Sequence, residues 1–297
     1  MLFKPLVTVG VCVRNCAQMI CEAIESIMAQ DYPHDFIEVI FVDDGSEDET
    51  LSVINDYASR MKMKVKVFHH TWRGLGFSRN VVVNNAEGKY IIWVDGDMVL
   101  PKDFIRRQVD FMEERPEAGI GKGQYGLFKT NNLIAYLENI SAFLEFTKSD
   151  LNQNYKPFGT GGSIYRTEAI KKIGGFNSAL KGVGEDMDVE LRMIKAGWKL
   201  FITPATFYEK RRRSWKMLWN EYFWHGCGGK NIKRELKQFR GILPKFFPPV
   251  ALLIIVSRAI SAYKITRNKA SFLLPLHWIF KRTAWVAGFL FGPSTKH

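Results

Sequence analysis

The stretch EVIFVDDGS, at residues 38–46, decides the fold. Residues 38–42 present apolar side chains on both faces, which is typical of a strand in the centre of a parallel sheet. Two aspartates follow at once, and ligands of open parallel sheets bind at the carboxyl ends of the strands. The stretch therefore predicts a buried strand and one edge of a binding site.

The same pattern extends in both directions along the chain. Short β-branched runs alternate with helical patterns, and this alternation predicts βαβ units. Ser46-x-x-Glu49 is typical of a capping box, so we expect a helix from there through Ser59. The expected fold is α/β, with a Rossmann-like, mostly parallel sheet flanked by helices. The other predicted strands cover residues 6–13, 64–68, 90–94 and 199–203, and the other helices cover 17–28, 77–86, 102–115 and 185–196.

The net charge of +12 is unevenly distributed. Residues 1–206 hold 24 basic and 27 acidic side chains, whereas residues 241–297 hold 8 basic side chains and no acidic one. Because the charge adjoins apolar stretches near the C-terminus, we expect no nucleic-acid partner. Met1–Gly10 leads straight into a strand, so no signal peptide is expected. The four cysteines favour reduced thiols over a disulfide framework or a zinc site.

A second acidic cluster, Asp95-Gly96-Asp97, follows the predicted strand at residues 90–94. Carboxylates at positions i and i+2 after a buried strand can turn toward one hard divalent cation, shared with phosphate oxygens. Such a cation neutralises a diphosphate leaving group. An acidic turn of this kind is also common as a solvated loop, so the cluster alone leaves both interpretations open.

Seven motifs in order resemble the inverting family 2 glycosyltransferases of the GT-A fold, and the resemblance covers about residues 5–225. They are VGVCVRN (9–15), DDGS (43–46), GLGFSRN (74–80), DGD (95–97), GTGGSIYR (159–166), GGF (174–176) and GEDMDVELRMIKAGWK (184–199). The resemblance implies a nucleotide-sugar donor, with UDP or GDP as the expected nucleotide, and Mn²⁺ or Mg²⁺ as cofactor.

The resemblance also implies roles for individual residues. Asp43 would accept hydrogen bonds from the nucleobase, Arg79 would lie near the base or diphosphate, and Gly161 and Gly162 would let the backbone approach the sugar or acceptor. Asp97 would be the principal metal ligand. The implied donor-binding residues are Val13, Arg14, Asn15, Asp43, Arg79, Asp95, Gly161, Gly162, Arg211 and Arg213, and the implied metal ligands are Asp95, Asp97 and Glu209.

Glu185 and Asp186 are the candidate catalytic carboxylates, with Asp186 implied as the base. Inverting displacement at an anomeric carbon needs one carboxylate to take the proton of the acceptor hydroxyl. The pair opens a predicted helix, whose dipole favours ionised carboxylates. Asp186 and Asp188 could instead be ordinary carboxylates of a helix N-terminus.

Two departures from the family pattern occur in TFYEKRRR, residues 206–213. Many relatives have a histidine here near the metal, and Glu209 is the closest candidate substitute. The Q-x-x-R-W signature of processive synthases is absent, because Ser214 interrupts Arg213 and Trp215, so one sugar per cycle is expected. Arg211–Arg213 could clamp a diphosphate or form a solvated or lipid-facing basic run.

The C-terminal part is expected to associate with a membrane. An aromatic helical stripe predicts an amphipathic basic segment at residues 214–240, after a catalytic domain at 1–213. Two apolar stretches within 241–297 predict a membrane-associated helical hairpin that either spans the bilayer or inserts from one side. The basic residues suit the cytoplasmic leaflet, with a lipid-linked or glycan acceptor. The stripe consists of Trp215, Leu218, Trp219, Tyr222 and Phe223.

Three other functions compete with sugar transfer. A nucleotidyltransferase that makes a nucleotide sugar could use a related sheet, but the N-terminal part has no glycine- and lysine-rich signature. A non-enzymatic membrane-binding or nucleic-acid-binding protein would need no metal–nucleotide site. Gly74-x-Gly76 lacks the third glycine of a dinucleotide fingerprint, which disfavours an oxidoreductase.

Overall fold

A computed structural model describes residues 4–146, 158–180, 184–236 and 248–292. The chain forms two compact units. The first contains residues 1–124 and 155–209, and the second contains residues 125–154 and 210–297. The predicted boundaries at 213/214 and 240/241 stay predictions, and residues 237–240 and 241–247 lie outside the described residues.

The first unit is built on a mixed β-sheet. Its described strands are β1 (Val7–Val13), β2 (Ile37–Asp44), β3 (Lys64–His70), β4 (Tyr90–Trp93), β5 (Met98–Val99), β6 (Ala118–Tyr125), β7 (Ser163–Arg166) and β8 (Lys199–Glu209). They form one eight-stranded sheet in the order β3-β2-β1-β4-β7-β6-β8-β5. The strands β1 to β4 pair in parallel, whereas β4 with β7, β6 with β7 and β5 with β8 pair antiparallel.

Helices flank this sheet as the sequence pattern predicts. Every residue of β1 and β2 is buried, as expected for strands covered on both faces. The predicted α/β fold with a mixed sheet flanked by helices is confirmed, although only the half formed by β1 to β4 is parallel. The helices of the first unit are α1 (Ile20–Met28), α2 (Thr50–Arg60), α3 (Leu75–Asn85), α4 (Phe104–Glu113), α6 (Thr167–Lys172) and α7 (Glu185–Lys195).

The predicted capping box at Ser46 is wrong. Helix α2 begins at Thr50, and no side chain caps it from the preceding residue. Ser46 instead donates its hydroxyl proton to Asp43 and accepts the backbone N–H of Asn15 at 2.9 Å. Because the hydroxyl serves the turn after β2, it is not available to a helix terminus.

The second unit is helical over its described residues. Its helices are α5 (Leu133–Phe146), α8 (Trp215–Leu236), α9 (Pro248–Thr266) and α10 (Leu274–Phe291). Leu137 and Ile140 of α5 pack with Ala259 and Ala262 of α9 in one apolar cluster that also contains Leu274. A short 3₁₀ turn at Lys269–Leu273 precedes α10.

The aromatic stripe of α8 packs on α10. The ring centroids of Trp215 and Trp219 lie 4.8 and 5.4 Å from that of Phe280. Gly288 lets the two helices approach closely, since an added Cβ would overlap the carbonyl of Phe223. Within the described residues, none of the helices combines the length and the apolar character needed to cross a membrane.

Candidate active site

A glycine loop at residues 159–162 brings two of the predicted functional carboxylates to one place. A Cβ on Gly159 would lie 3.5 Å from Oδ2 of Asp186, and a Cβ on Gly161 would overlap Oδ2 of Asp95. Both carboxylates are half-buried. Asp95 follows the buried strand β4 by two residues, and Asp186 lies in the first turn of α7, so the loop joins the sheet edge to a helix N-terminus.

Two buried charged side chains hold this loop. Glu190, one turn after Asp186 on α7, accepts the backbone N–H groups of Phe158 at 3.0 Å and Gly159 at 2.9 Å. Lys122 of β6 donates a hydrogen bond to the carbonyl of Gly161. Neither residue was among the predicted site residues. The i, i+4 spacing of Asp186 and Glu190 could have indicated the second, but no local pattern indicates Lys122.

Lys122 is a cation inside an acidic cluster. Its side chain is only 1% exposed and lies over the ring of Phe207, with 5.2 Å from Nζ to the centroid. Burial lowers its pKa to about 8, and four carboxylates act in the opposite direction. In order of effect they belong to Glu209, Asp95, Glu190 and Asp186.

Arg79 and Glu185 form a buried ion pair. The guanidinium of Arg79 lies 2.5 Å from Oε1 of Glu185 and over the ring of Phe176. Burial raises the pKa of Glu185, and the charge of Arg79 opposes that shift. Since Glu185 is committed to Arg79, Asp186 is the more accessible carboxylate of the candidate pair. The predicted donor contact of Arg79 stays a prediction.

The turn after β4 contains two of the three predicted metal ligands, Asp95 and Asp97. Gly96 lets this turn pack closely on the turn between β1 and α1, since an added Cβ would lie 2.5 Å from Sγ of Cys16. The antiparallel pairing of β5 with β8 sets Glu209 opposite Met98. These are hard oxygen ligands of the kind that Mg²⁺ and Mn²⁺ prefer, so the residue types fit such an ion.

The described residues contain no group of three or more His, Cys, Asp or Glu side chains arranged to hold a metal ion. Assignment of Asp95, Asp97 and Glu209 as ligands therefore stays a prediction. Asp95 and Asp97 are both half-buried, and a cation bound by them would take its remaining oxygen ligands from other groups, such as those of a bound molecule.

A hydrogen-bonded chain crosses the ends of β1, β2 and β3. Val13, Asp43 and His69 are in register across the three strands. Asp43 accepts the hydroxyl of Ser46 and pairs with Nδ1 of His69 at 2.8 Å. Asn15, at a positive φ of 50°, accepts the backbone N–H of Glu47. The predicted donor residues Val13, Asn15 and Asp43 thus meet at one sheet edge.

Arg14 lies at the same edge and is half-exposed. Its Nε donates to the carbonyl of Gly45 at 3.2 Å, and its guanidinium pairs with Glu47 at 3.2 Å. The guanidinium carbon also lies 5.7 Å from the ring centroid of Trp72. Arg14 therefore belongs to the surface of the edge, and its predicted donor contact stays a prediction.

The remaining predicted donor residues have neighbours inside the protein. The space beside Gly161 is filled by Asp95, and a Cβ on Gly162 would overlap the ring of Phe207. Arg211 and Arg213 belong to the second unit. There the Arg211 guanidinium lies over the ring of Tyr125 at 4.9 Å, and the Arg213 carbonyl accepts from Asn132 at 2.9 Å. Donor contacts of these four residues stay predictions.

Residues 8–174 match the family described as "Glycosyl transferase family 2", which is more than half of the chain. The chain belongs to this family. It therefore carries a family 2 glycosyltransferase domain, which favours sugar transfer over the nucleotidyltransferase and non-enzymatic alternatives raised by the sequence.

Two curated relatives show how far the similarity extends. The glycosyltransferase is 28% identical to the putative glycosyltransferase EpsE of Bacillus subtilis over 71% of this chain and 74% of EpsE. It is 33% identical to the poly(ribitol-phosphate) β-N-acetylglucosaminyltransferase TarS of Staphylococcus aureus over 34% of this chain. That match spans only 18% of the length of TarS.

Solved structures support the same fold. A mannosyltransferase of Pyrobaculum calidifontis, in complex with GDP-Man and Mn²⁺, superposes with a TM-score of 0.69 at 20% identity, over 98% of this chain and 88% of that one. TarS residues 1–349 in complex with UDP give a TM-score of 0.53 at 20% identity, over 96% and 89% of the two chains. The predicted GT-A fold of this glycosyltransferase is confirmed.

Proposed function

We propose that the protein transfers a single sugar, with inversion, from a UDP- or GDP-linked donor to a membrane-proximal acceptor. The observation that supports this most is the contact of Asp95 and Asp186 with one glycine loop. The donor sugar could then lie between a diphosphate near Asp95 and an acceptor hydroxyl near Asp186. Solved neighbours that carry GDP-Man, UDP or UDP-GlcNAc support a nucleotide-sugar donor.

Asp95 and Asp97 would hold Mn²⁺ or Mg²⁺ together with diphosphate oxygens, and Glu209 is a further candidate ligand. When bound, the cation supplies positive charge that stabilises the departing diphosphate. The protein's own contribution there is to keep two carboxylates at the end of a rigid buried strand. Asp95 is fixed further by its contact with Gly161.

Asp186 would act as the general base. Its carboxylate takes the proton of the acceptor hydroxyl, while the oxygen forms a bond to the anomeric carbon. The bond from that carbon to the donor diphosphate breaks, and its electron pair leaves with the diphosphate. Attack from the opposite face inverts the configuration. Glu185 suits the role less well, because its carboxylate already pairs with the buried guanidinium of Arg79.

The acceptor would be lipid-linked or a glycan at a membrane, with the catalytic unit on the cytoplasmic side. The support comes from the second unit, where α9 and α10 expose large apolar side chains such as Leu253, Leu276 and Leu290. Residues 241–297 carry 8 basic side chains and no acidic one, which favours an anionic lipid surface.

A donor screen with Asp186→Asn tests the proposal. The protein in membranes is offered UDP- and GDP-sugars with Mn²⁺, and released nucleoside diphosphate is measured. We expect the variant to lose about a hundredfold or more of the turnover, the usual range for removal of a general base. Metal-dependent donor binding, measured by calorimetry, should be retained.

Asp188→Asn is the matched control. Asp188 also lies in the first turn of α7, but it pairs with Arg192 at 2.5 Å, so its removal should leave most of the turnover. Equal turnover of Asp186→Asn and the wild type would contradict the assignment of the base. Chelation by EDTA should abolish turnover, and products with several added sugars would contradict single addition.

A further inference from the structure

The nucleobase end of the site has a carboxylate that a base cannot reach directly. Asp43 is fully buried. Its Oδ1 accepts the hydroxyl of Ser46, and its Oδ2 accepts the backbone N–H of Ser46 and pairs with His69. Asp44 beside it is also committed, because it accepts the backbone N–H groups of Arg73 and Gly74. Recognition of a base must therefore come from groups around these aspartates.

His69 is the exposed end of the buried pair. Its side chain is 49% exposed, although Nδ1 lies 2.8 Å from the carboxylate of Asp43. Because a carboxylate only accepts, the neutral ring carries its proton on Nδ1 and keeps Nε2 as an acceptor. Within the described residues, Nε2 has no hydrogen-bond partner. His69 thus presents one oriented acceptor at the sheet edge.

Trp72, three residues after His69 along the chain, carries an exposed aromatic ring. It is 48% exposed. Its backbone packs tightly on Gly45, where an added Cβ would lie 2.5 Å from the Trp72 nitrogen, and Gly45 has a positive φ of 71°. Arg14, anchored on the carbonyl of Gly45, lies against the ring. The ring is therefore a fixed apolar surface at an edge otherwise lined by polar groups.

We infer that Trp72 and His69, rather than Asp43, contact the nucleobase of the donor. The inference rests on the proposed use of a nucleotide-sugar donor. The ring of Trp72 offers a stacking surface to any base, because every base has a π face. Nε2 of His69 selects among bases, since it accepts a hydrogen bond from an imino N–H.

This chemistry separates the four common bases into two groups. Uracil carries an imino N3–H and guanine an imino N1–H, whereas cytosine and adenine have only an acceptor at the corresponding ring nitrogen. When the ring nitrogen of the base faces Nε2, the pair of Asp43 and His69 favours uridine and guanosine diphosphates over the cytidine and adenosine ones, whose exocyclic amino groups lie to one side. A bound base would cover Nε2 of His69, and a covered polar group that the wrong base leaves unmatched gives stronger discrimination than loss of apolar contact.

Calorimetric titration of the full chain with Mn²⁺ tests the inference, with UDP, GDP, CDP, ADP and inorganic pyrophosphate as probes. Stacking on an aromatic side chain contributes enough that Trp72→Ala should weaken UDP or GDP binding about tenfold. Trp72→Phe should retain most of the affinity. His69→Ala should reduce the preference for the better of UDP and GDP over CDP about tenfold. Pyrophosphate has no base, so its affinity should stay unchanged in all three variants.

Trp224→Ala and His225→Ala are matched controls, because both side chains are exposed and belong to the helical unit. They should bind every probe as the wild type does. Unchanged UDP and GDP affinities in both Trp72→Ala and His69→Ala would overturn the inference, and so would an equal loss of pyrophosphate binding. A wild-type protein that binds pyrophosphate with Mn²⁺ but no nucleoside diphosphate would instead refute the proposed donor.

Discussion

Lys122 shows how a single residue can hold a site together without facing a ligand. A fully buried ammonium is unfavourable unless it is paired and hydrogen-bonded. Here it donates to the carbonyl of Gly161 and is surrounded by carboxylates that belong to three separate parts of the chain. Its charge offsets the mutual repulsion of those carboxylates, and its hydrogen bond keeps the glycine loop against Asp95.

Replacement of Lys122 by Met should lower kcat about tenfold or more while the protein still folds. Met keeps most of the side-chain volume, but the Gly161 carbonyl loses its donor, and an unsatisfied buried group costs about 1–3 kcal/mol. Steady-state kinetics give kcat and KM, and circular dichroism checks folding. Lys129→Met, at an exposed position, is the control. An unchanged kcat in Lys122→Met would show that the loop does not depend on this cation.

At the scale of elements, a buried charge network joins three helices of the second unit. Glu138 of α5 accepts a hydrogen bond from Lys281 of α10 at 2.6 Å and lies 3.1 Å from His277 of the same helix. Tyr222 of α8 donates to Glu138 at 3.4 Å. The pKa of Glu138 lies well below its ordinary value: burial alone would raise it, and Lys281 and His277 more than reverse that effect. Burial lowers the pKa of His277.

Both shifts make the second unit less stable in acid. A group whose pKa is lower in the folded state binds more protons when unfolded, so the free energy of unfolding falls as pH falls. For His277 the loss begins near the ordinary value of 6.5, and for Glu138 it begins near 4.5. We expect thermal unfolding followed by circular dichroism to show this decline between pH 7 and pH 4.

Variants distinguish the loss of stability in acid that this network causes from the acid sensitivity of the rest of the protein. Glu138→Gln should lower the free energy of unfolding at pH 7 by about 3–5 kcal/mol, because it leaves the buried Lys281 uncompensated. The same change should flatten the pH dependence below 4.5. Glu168→Gln, at an exposed position in α6, should do neither. A pH profile of Glu138→Gln parallel to that of the wild type would contradict the assignment.

At the scale of the whole molecule, the net charge differs between the N-terminal and C-terminal parts of the chain. Residues 1–206 are close to neutral, whereas residues 207–297 hold 18 basic and 3 acidic side chains. The second unit also exposes apolar side chains, among them Phe291 at 82%. Apolar insertion and attraction to anionic lipids act together in surface-bound helices. This combination supports the proposed membrane surface.

Vesicle cosedimentation tests whether the second unit binds a lipid surface. The protein should bind vesicles with phosphatidylglycerol more tightly than pure phosphatidylcholine vesicles, and 1 M salt should weaken binding because it screens charges beyond about 3 Å. The double variant Leu276→Glu, Leu290→Glu should bind less to both kinds of vesicle. Ile194→Glu, at an exposed apolar position of the first unit, is the control. Equal partition of the double variant and the wild type would refute the proposed lipid contact.

The sequence by itself determined the parallel half of the sheet and the acidic turns at its carboxyl edge. Short stretches of sequence carry both signals, because runs that are apolar on both faces form buried strands and parallel strands end at the same edge of a sheet. The ordered motifs, which are also short stretches of sequence, indicated the family. The strands β5 to β7 escaped prediction, because two to four residues or a glycine-rich run such as AGIGKGQY carry little periodicity.

Only the tertiary structure decided which charged groups meet. Arg79 and Glu185 are 106 residues apart, and their pairing leaves Asp186 as the accessible carboxylate. Lys122, Glu190, His69 and Trp72 acquire their places through strand register and close packing on glycines, which no local pattern records. Charges buried by distant segments must be paired to remain ionised. Their partners are therefore a property of the fold, whereas the strand ends that carry them are a property of the sequence.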